Sequence, residues 1–232
     1  MGETLPQSQL AVAVDVMLTT ACEGELRVLL SQRKAAPYAH CWALPGRMVT
    51  YQETAENAAH AVLEELLPGT GAALEQLYTF SGVNRDPRGR VVSVAYLAMA
   101  PWERVASSMA GSPMRAFTLV ENSRLLLRDG SLTLQESHLA FDHGEMIRMG
   151  IERLRGKVEY TDIAFRYLRD PDAFTLAELQ RVYEAILGRP TGSGNFQRMI
   201  RNRYLERGLI RQTARKTRGG QGRPAALFEM VN

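Results

Sequence analysis

Cysteine is almost absent. Cys22 and Cys41 are the only two in 232 residues, too few for a disulfide framework and without the spacing of a cysteine metal site. The four histidines, His40, His60, His138 and His143, are scattered, and none forms a pair with zinc-ligand spacing. No stretch reaches the roughly 18–20 consecutive apolar residues of a membrane span, so no membrane partner is expected. The opening Met-Gly-Glu-Thr carries neither the basic region nor the apolar core of a secretory leader. Together with the free thiols, this gives the expectation of a cytoplasmic protein. Acidic residues are missing from one region in particular. Between Arg189 and Arg223 ten basic residues stand against one acid, Glu206. That segment carries +9 in a chain of net charge +3, leaving −6 for the remainder. A basic block on an acidic body suits a module that binds a polyanion, although a solvated basic face or tail has the same composition.

The apolar pattern divides the chain in two. Leu10–Leu18, Leu26–Leu30 and Val91–Ala100 are rich in apolar and β-branched residues and read as strands. Between them, Glu53–Leu67 has helical composition and stops at Pro68-Gly69. Strands on either side of a helix indicate an α/β layered domain. From about Phe141 the pattern turns helical. Asp142 is placed to cap a helix to Leu154, and a shorter helix is expected over Asp162–Leu168. Thr175 and Glu178 form a capping box ahead of a helix bearing Leu179, Val182, Tyr183 and Ile186. Asn195 is expected to cap the next helix, Phe196–Arg207, which ends at Gly208. Two short apolar runs, Leu209-Ile210 and Ala226–Phe228, then flank a basic, glycine-rich span, as in a β-hairpin.

Helices followed by a basic hairpin describe a winged helix, whose last helix enters the major groove. Phe196, Met199, Ile200 and Tyr204 make its apolar face. The opposite face, with Asn195 at its start, offers Gln197, Arg198, Arg201 and Asn202. Arginine reads guanine bidentately, and asparagine or glutamine reads adenine. Arg215, Lys216, Arg218 and Arg223 of the hairpin are placed for phosphate or minor-groove contacts, with Gly219, Gly220 and Gly222 permitting close backbone approach. The partner expected is double-stranded DNA. The alternative is a small helical dimerisation domain with a charged surface.

The N-terminal half resembles the Nudix superfamily through Trp42-Ala43-Leu44-Pro45-Gly46 and the Glu53 helix that follows. In a working Nudix box, carboxylates on one helix hold Mg²⁺, which polarises a pyrophosphate and activates water. With Glu53 aligned to the first glutamate, the box's opening glycine falls on Arg47 and its Arg-Glu pair on Ala61 and Val62. Its Glu-Glu pair falls on Glu65 and Leu66. A one-residue slip recovers Glu64-Glu65 but leaves Ala61 at the preceding acid position. The carboxylate set is incomplete in either register, so neither a bound metal nor hydrolysis is expected. Glu53, Glu56, His60 and Glu64 share another face, read as solvated. Asn84-Arg85-Asp86-Pro87-Arg88-Gly89-Arg90 precedes a buried strand and reads as a turn. Its three arginines suit a phosphate clamp, or simply an exposed basic turn.

Taken together, Leu139-Ala140-Phe141-Asp142-His143, Phe174-Thr175-Leu176-Ala177-Glu178-Leu179-Gln180, Asn195-Phe196-Gln197-Arg198 and Gly222-Arg223-Pro224-Ala225 resemble the NrtR family, the Nudix-related regulators of NAD metabolism. The resemblance runs from about Val12 to Phe228. It implies a Nudix-like α/β/α sandwich over 1–156 and a winged-helix DNA-binding domain over 157–232. It also implies a homodimer that represses NAD biosynthesis or salvage genes and is released from its operator by ADP-ribose or a related nucleotide. No cofactor beyond that effector is implied. The residues assigned to the effector on charge and position are Arg33, Arg47, Glu53, Arg85, Arg88, Arg90 and His143. His143 lies at the junction, where packing locally beside an Asp142 helix cap is the simpler role. The family's usual Pro-Gly-Gly is Pro45-Gly46-Arg47 here, which either adds a phosphate contact or changes the effector. Regulators of this architecture also govern sugar genes. An active pyrophosphohydrolase with a nucleic-acid-binding tail is the competing enzyme reading, and a nucleotide sensor with a protein partner is a third.

Overall fold

A computed structural model describes residues 10–69, 72–120, 125–217 and 224–231. In chain order the elements are β1 (Ala11–Cys22), β2 (Glu25–Gln32), β3 (Trp42–Ala43), β4 (Gly46–Met48), α1 (Ala55–Leu66), β5 (Leu74–Phe80), β6 (Val91–Met99) and α2 (Trp102–Met109). There follow β7 (Met114–Val120), β8 (Leu126–Asp129), β9 (Leu132–Gln135), α3 (His143–Val158), α4 (Leu176–Leu187), α5 (Ser193–Ile200), β10 (Ile210–Lys216) and β11 (Ala226–Met230). The main sheet runs β5-β6-β1-β2-β7-β8-β9, with β3 attached to β2 and β4 to β1. Its centre is the long parallel pairing of β1 with β6 from Ala11↔Val91 to Thr19↔Met99. The other pairings are antiparallel.

Both faces of the sheet are covered, and β1 shows why. Alternate side chains on a strand point to opposite faces. Val14, Val16 and Leu18 meet Ala58, Ala59, Val62 and Leu63 of α1 and Val105 of α2. Met17, on the other side, belongs with Met146, Ile147, Ile151 and Leu154 of α3. The result is the expected α/β/α sandwich. The α3-side core does not stop at the sandwich. It continues through Ile163, Phe165 and Tyr167 into Leu179, Tyr183, Phe196, Ile200 and Phe228. A buried hydrogen bond of 2.8 Å joins Thr19 of β1 to Tyr167.

The C-terminal part is the expected winged helix: α4, α5 and the β10–β11 hairpin, with Phe174 bridged to Phe228 as a third short strand. Thr175 and Glu178 form the capping box, and Gly188 ends α4 in the left-handed region at φ 69°. Three local expectations are corrected. Asp162–Leu168 is a 3₁₀ helix over Ile163–Tyr167, the tighter form that short connectors take, and is buried along most of its length. Gly192, not Asn195, caps α5, and the Asn195 side chain instead accepts at Oδ1 from Arg198 at 3.1 Å. The α-helix ends at Ile200 and passes into a π-helical turn over Arg201–Leu205. Within that turn Tyr204 is buried, and its hydroxyl donates to the Thr161 carbonyl at 2.8 Å.

Candidate effector pocket and DNA interface

Strand β1 changes partners along its length. Its first half pairs with β4 through Asp15↔Gly46 and its second half with β2 from Thr19↔Val28. Asp15 lies near this divergence. A side chain at position 46 would put its Cβ 2.4 Å from Asp15 Oδ1 and from the Val14 carbonyl, so only glycine permits the approach. A cavity of about 180 Å³ opens here, walled by Asp15, Arg33, Arg47, Arg85, Phe141 and His143 among others. A hollow of about 610 Å³ lies alongside, bounded by Val62, Glu65 and Leu66 of α1. Arg33 and Arg47 line both.

The buried groups form a closed network. Arg85, only 5% exposed at its side chain, donates from Nε and Nη2 to the two oxygens of Asp142 at 2.8 and 2.7 Å, and lies 3.7 Å from Asp15. Asp142 therefore does not cap α3 with its side chain, because Arg85 holds it. Ser93 donates its hydroxyl to Asp15. The Leu44 amide donates to His143 Nδ1 at 2.8 Å. The His143 proton consequently belongs on Nε2, which faces Asp15 Oδ1 at 3.5 Å. Burial holds His143 below its ordinary pKa, against the opposing pull of Asp15 and Asp142.

The remaining candidates separate by partner. Arg88 chelates Asp86, whose carboxyl is held below its usual range chiefly by that bond. Arg90 turns to the carbonyls of Ser81 and Gly82, both at 2.9 Å, and does not line the pocket. The structure thus divides the three arginines of this turn: Arg85 and Arg88 at the pocket wall, each matched by an acid, and Arg90 as a loop brace. Arg33 donates Nε to the Pro37 carbonyl, with its guanidinium 4.8 Å from the centre of the Phe141 ring. Arg88 stands 5.7 Å from the same ring. Arg47 reaches Glu53 at 3.0 Å, and Glu53 also accepts from the Thr50 amide at 2.9 Å. That amide bond, aided by Arg47, keeps the Glu53 carboxyl below its ordinary pKa. Glu56, His60 and Glu64 are exposed. Sequence reasoning passed over Asp15 and took Phe141 only as part of a family motif, not as a pocket residue. An isolated acid inside Ala13-Val14-Asp15-Val16-Met17 was a signal for the first, since a buried carboxylate demands a partner. Phe141, held at φ 52°, carries no sequence mark of its strained backbone.

At the other end of the molecule, Phe196, Ile200 and Tyr204 are buried while Asn195, Gln197, Arg198, Arg201 and Asn202 are exposed. Tyr183 of α4 packs edge-on against Phe196 at 5.3 Å and fixes the rotation of α5. Arg215 and Lys216 stand exposed on β10. Arg215 donates to the Asp172 carbonyl at 2.8 Å and lies 3.6 Å from Glu229. Arg218 and Arg223, with the three wing glycines, lie outside the described residues.

The family model of the NrtR DNA-binding winged helix domain matches residues 169–230. The chain is 32% identical over 223 residues to an ADPR responsive transcriptional repressor, NtrR, of Acinetobacter baylyi, covering 95% of this chain and 82% of that protein. The chain belongs to the NrtR family. The crystal structure of Shewanella oneidensis NrtR complexed with a 27mer DNA matches with a TM-score of 0.77 at 30% identity, over 95% of this chain and 93% of that one. An ADP-ribose pyrophosphatase of Methanocaldococcus jannaschii is 38% identical over 90 residues, which cover 38% of this chain and 49% of that enzyme.

The Nudix fold implies divalent metal, and the residues of this NrtR protein do not fit one. Val62, at an expected ligand position, is 4% exposed and packed into the α1-side core. Leu66 packs against that same core, while Glu65 is exposed. Glu53 is ion-paired to Arg47. Among the described residues, no three His, Cys, Asp or Glu side chains stand grouped to hold a metal ion.

Proposed function

We propose that this NrtR protein is a dimeric, DNA-binding transcriptional repressor whose Nudix-like pocket binds ADP-ribose, or a close NAD-derived nucleotide, without cleaving it. The observation that carries the reading is the match to an ADPR responsive repressor through both modules at once. Three features support it: the basic exposed face of α5, the arginine-lined pocket and the incomplete metal site. The regulated genes are those of NAD supply, as the family resemblance implies.

Effector and operator communicate only if the effector prefers the arrangement that DNA does not. Helix α3 is the natural route. It starts at the pocket with Asp142 and His143 and ends against the DNA-binding module, where Arg155 Nε donates to the Ile186 carbonyl of α4 at 3.1 Å. A dimer must hold its two reading helices about 34–36 Å apart to fit adjacent half-sites. A small tilt of α3 changes that spacing. The test is operator binding by fluorescence anisotropy with increasing ADP-ribose, followed by chromatography of the nucleotide. We expect affinity to fall about 5–150-fold, the usual range of allosteric coupling, with ADP-ribose recovered intact. Release of AMP and ribose phosphate would establish a hydrolase instead. A full-length protein sedimenting as a monomer on operator DNA would overturn the dimer.

A further inference from the structure

We infer that Arg47 stands in for the divalent cation of a Nudix box, so that the pocket grips a pyrophosphate diester by guanidinium alone and does so without metal. This rests on the effector reading above for the identity of the ligand, but not for the chemistry of the grip.

In a metal-dependent box, a cation links enzyme carboxylates on one side to phosphate oxygens on the other. Arg47 has the same bridging position available. It projects from β4, in register with Val14 of β1, into the place where the two hollows meet. Its Nη2 engages Glu53, the residue aligned with the first box glutamate. That contact uses one of five guanidinium N–H donors. The side chain is 36% exposed, so the group faces open space as well as its acid. Glu53 is held by Arg47 and the Thr50 amide together, so that box carboxylate faces a guanidinium, and Glu65 is left on the wall of the second hollow.

The neighbouring cations complete the case. Arg85 and Arg88 are chelated by Asp142 and Asp86, and their charge is matched before any ligand arrives. Arg33 is the other cation lining both hollows, and its Nε is given to a neutral carbonyl, that of Pro37. Arg33 and Arg47 together bring two guanidinium groups to the junction, and Glu53 offsets one of their charges, as box carboxylates offset those of a bound Mg²⁺. A guanidinium fork matches phosphate geometry and carries its charge at every accessible pH.

The test is calorimetry of the full chain with three pyrophosphate diesters, ADP-ribose, NAD and UDP-glucose, in chelator and again in excess Mg²⁺. Wild-type affinity for the bound diester should agree within about twofold between the two conditions. Arg47→Gln should weaken binding in chelator about 10–100-fold, the cost of a lost charge-assisted hydrogen bond, and Arg47→Lys should recover part of it. The wild-type comparison needs no variant and decides the matter even if Arg47→Gln folds poorly. Binding that requires Mg²⁺, or an Arg47→Gln protein that binds as tightly as wild type, overturns the inference, as does no binding of any diester in chelator. If ADP-ribose gives no heat while NAD or UDP-glucose binds without metal and is lost in Arg47→Gln, the effector reading falls and the role of Arg47 stands.

Discussion

Arg85 and Arg201 are the same residue type in opposite circumstances. Arg85 is almost wholly buried, with both oxygens of Asp142 bound to it and Asp15 at 3.7 Å. Arg201 begins the π-helical turn after α5 and is exposed. The first has exchanged its water for two acids and holds them at the pocket wall. The second keeps its hydration and can trade it for a phosphate or a base edge. Charge alone says little about arginine, and the sequence shows only charge. What separates the structural from the ligand-facing arginine is whether an acid takes its fork bidentately and closes it off from water.

Substitution should break this contrast open. Arg85→Ala takes the guanidinium from Asp142 and from the buried Asp15 and should cost about 3–5 kcal/mol of stability, read from urea or thermal unfolding. Loss comparable to a surface substitution, under about 0.5 kcal/mol, would mean that the buried network is not holding the pocket. For Arg198→Ala and Arg201→Ala the stability should hardly change. Operator discrimination should instead fall by about 1–3 kcal/mol at one base position each, measured as the ratio of specific to random duplex affinity. Equal losses on both duplexes would place these side chains on the backbone rather than the bases.

Acid should sharpen the comparison further. His143 is held below its ordinary pKa of 6.5 by burial, so folding favours its neutral form. That contribution is fully present above the unfolded value and is lost as pH falls through the folded one. Stability should therefore decline as pH is lowered from neutral past about 6.5, and His143→Asn should flatten the decline. An unchanged pH profile in the variant would exonerate His143. The smallest effect belongs to the wing. Lys216→Ala should weaken all duplexes evenly and reduce the slope of log affinity against log salt by about one. A sequence-dependent loss would move Lys216 from phosphate to base contact.

The outline of the fold was legible because its signals are local. Thr175 with Glu178 marked α4, Pro68-Gly69 ended α1, and the basic span located the wing. Most of the strands that escaped are short, as β3, β4, β8 and β9 are, or lie at the sheet edge, as β5 does; β7 is neither. One pair had a readable mark: Gly130-Ser131 sits between Asp129 and Leu132 and turns β8 into β9, the type of dipeptide that favours a tight hairpin. The site was less legible for a physical reason. The partners in it come together across 57 residues for Arg85 and Asp142 and 78 for Asp15 and Ser93. Nothing in the residues around Arg85 distinguishes it from Arg90, which folds back on its own loop.

The core that passes from the sheet through Tyr167 into α4 and α5 has a consequence for engineering. A DNA-binding module seated this way is not an interchangeable cartridge. A chimera cut between the sandwich and α4 would expose Phe165, Tyr167 and Leu179 on one fragment and leave Thr19 facing a foreign surface on the other. New operator specificity is better sought by exchanging the exposed residues of α5 on the existing frame. Those residues contribute nothing to the shared core, and the joint that would carry the signal from the pocket is left untouched.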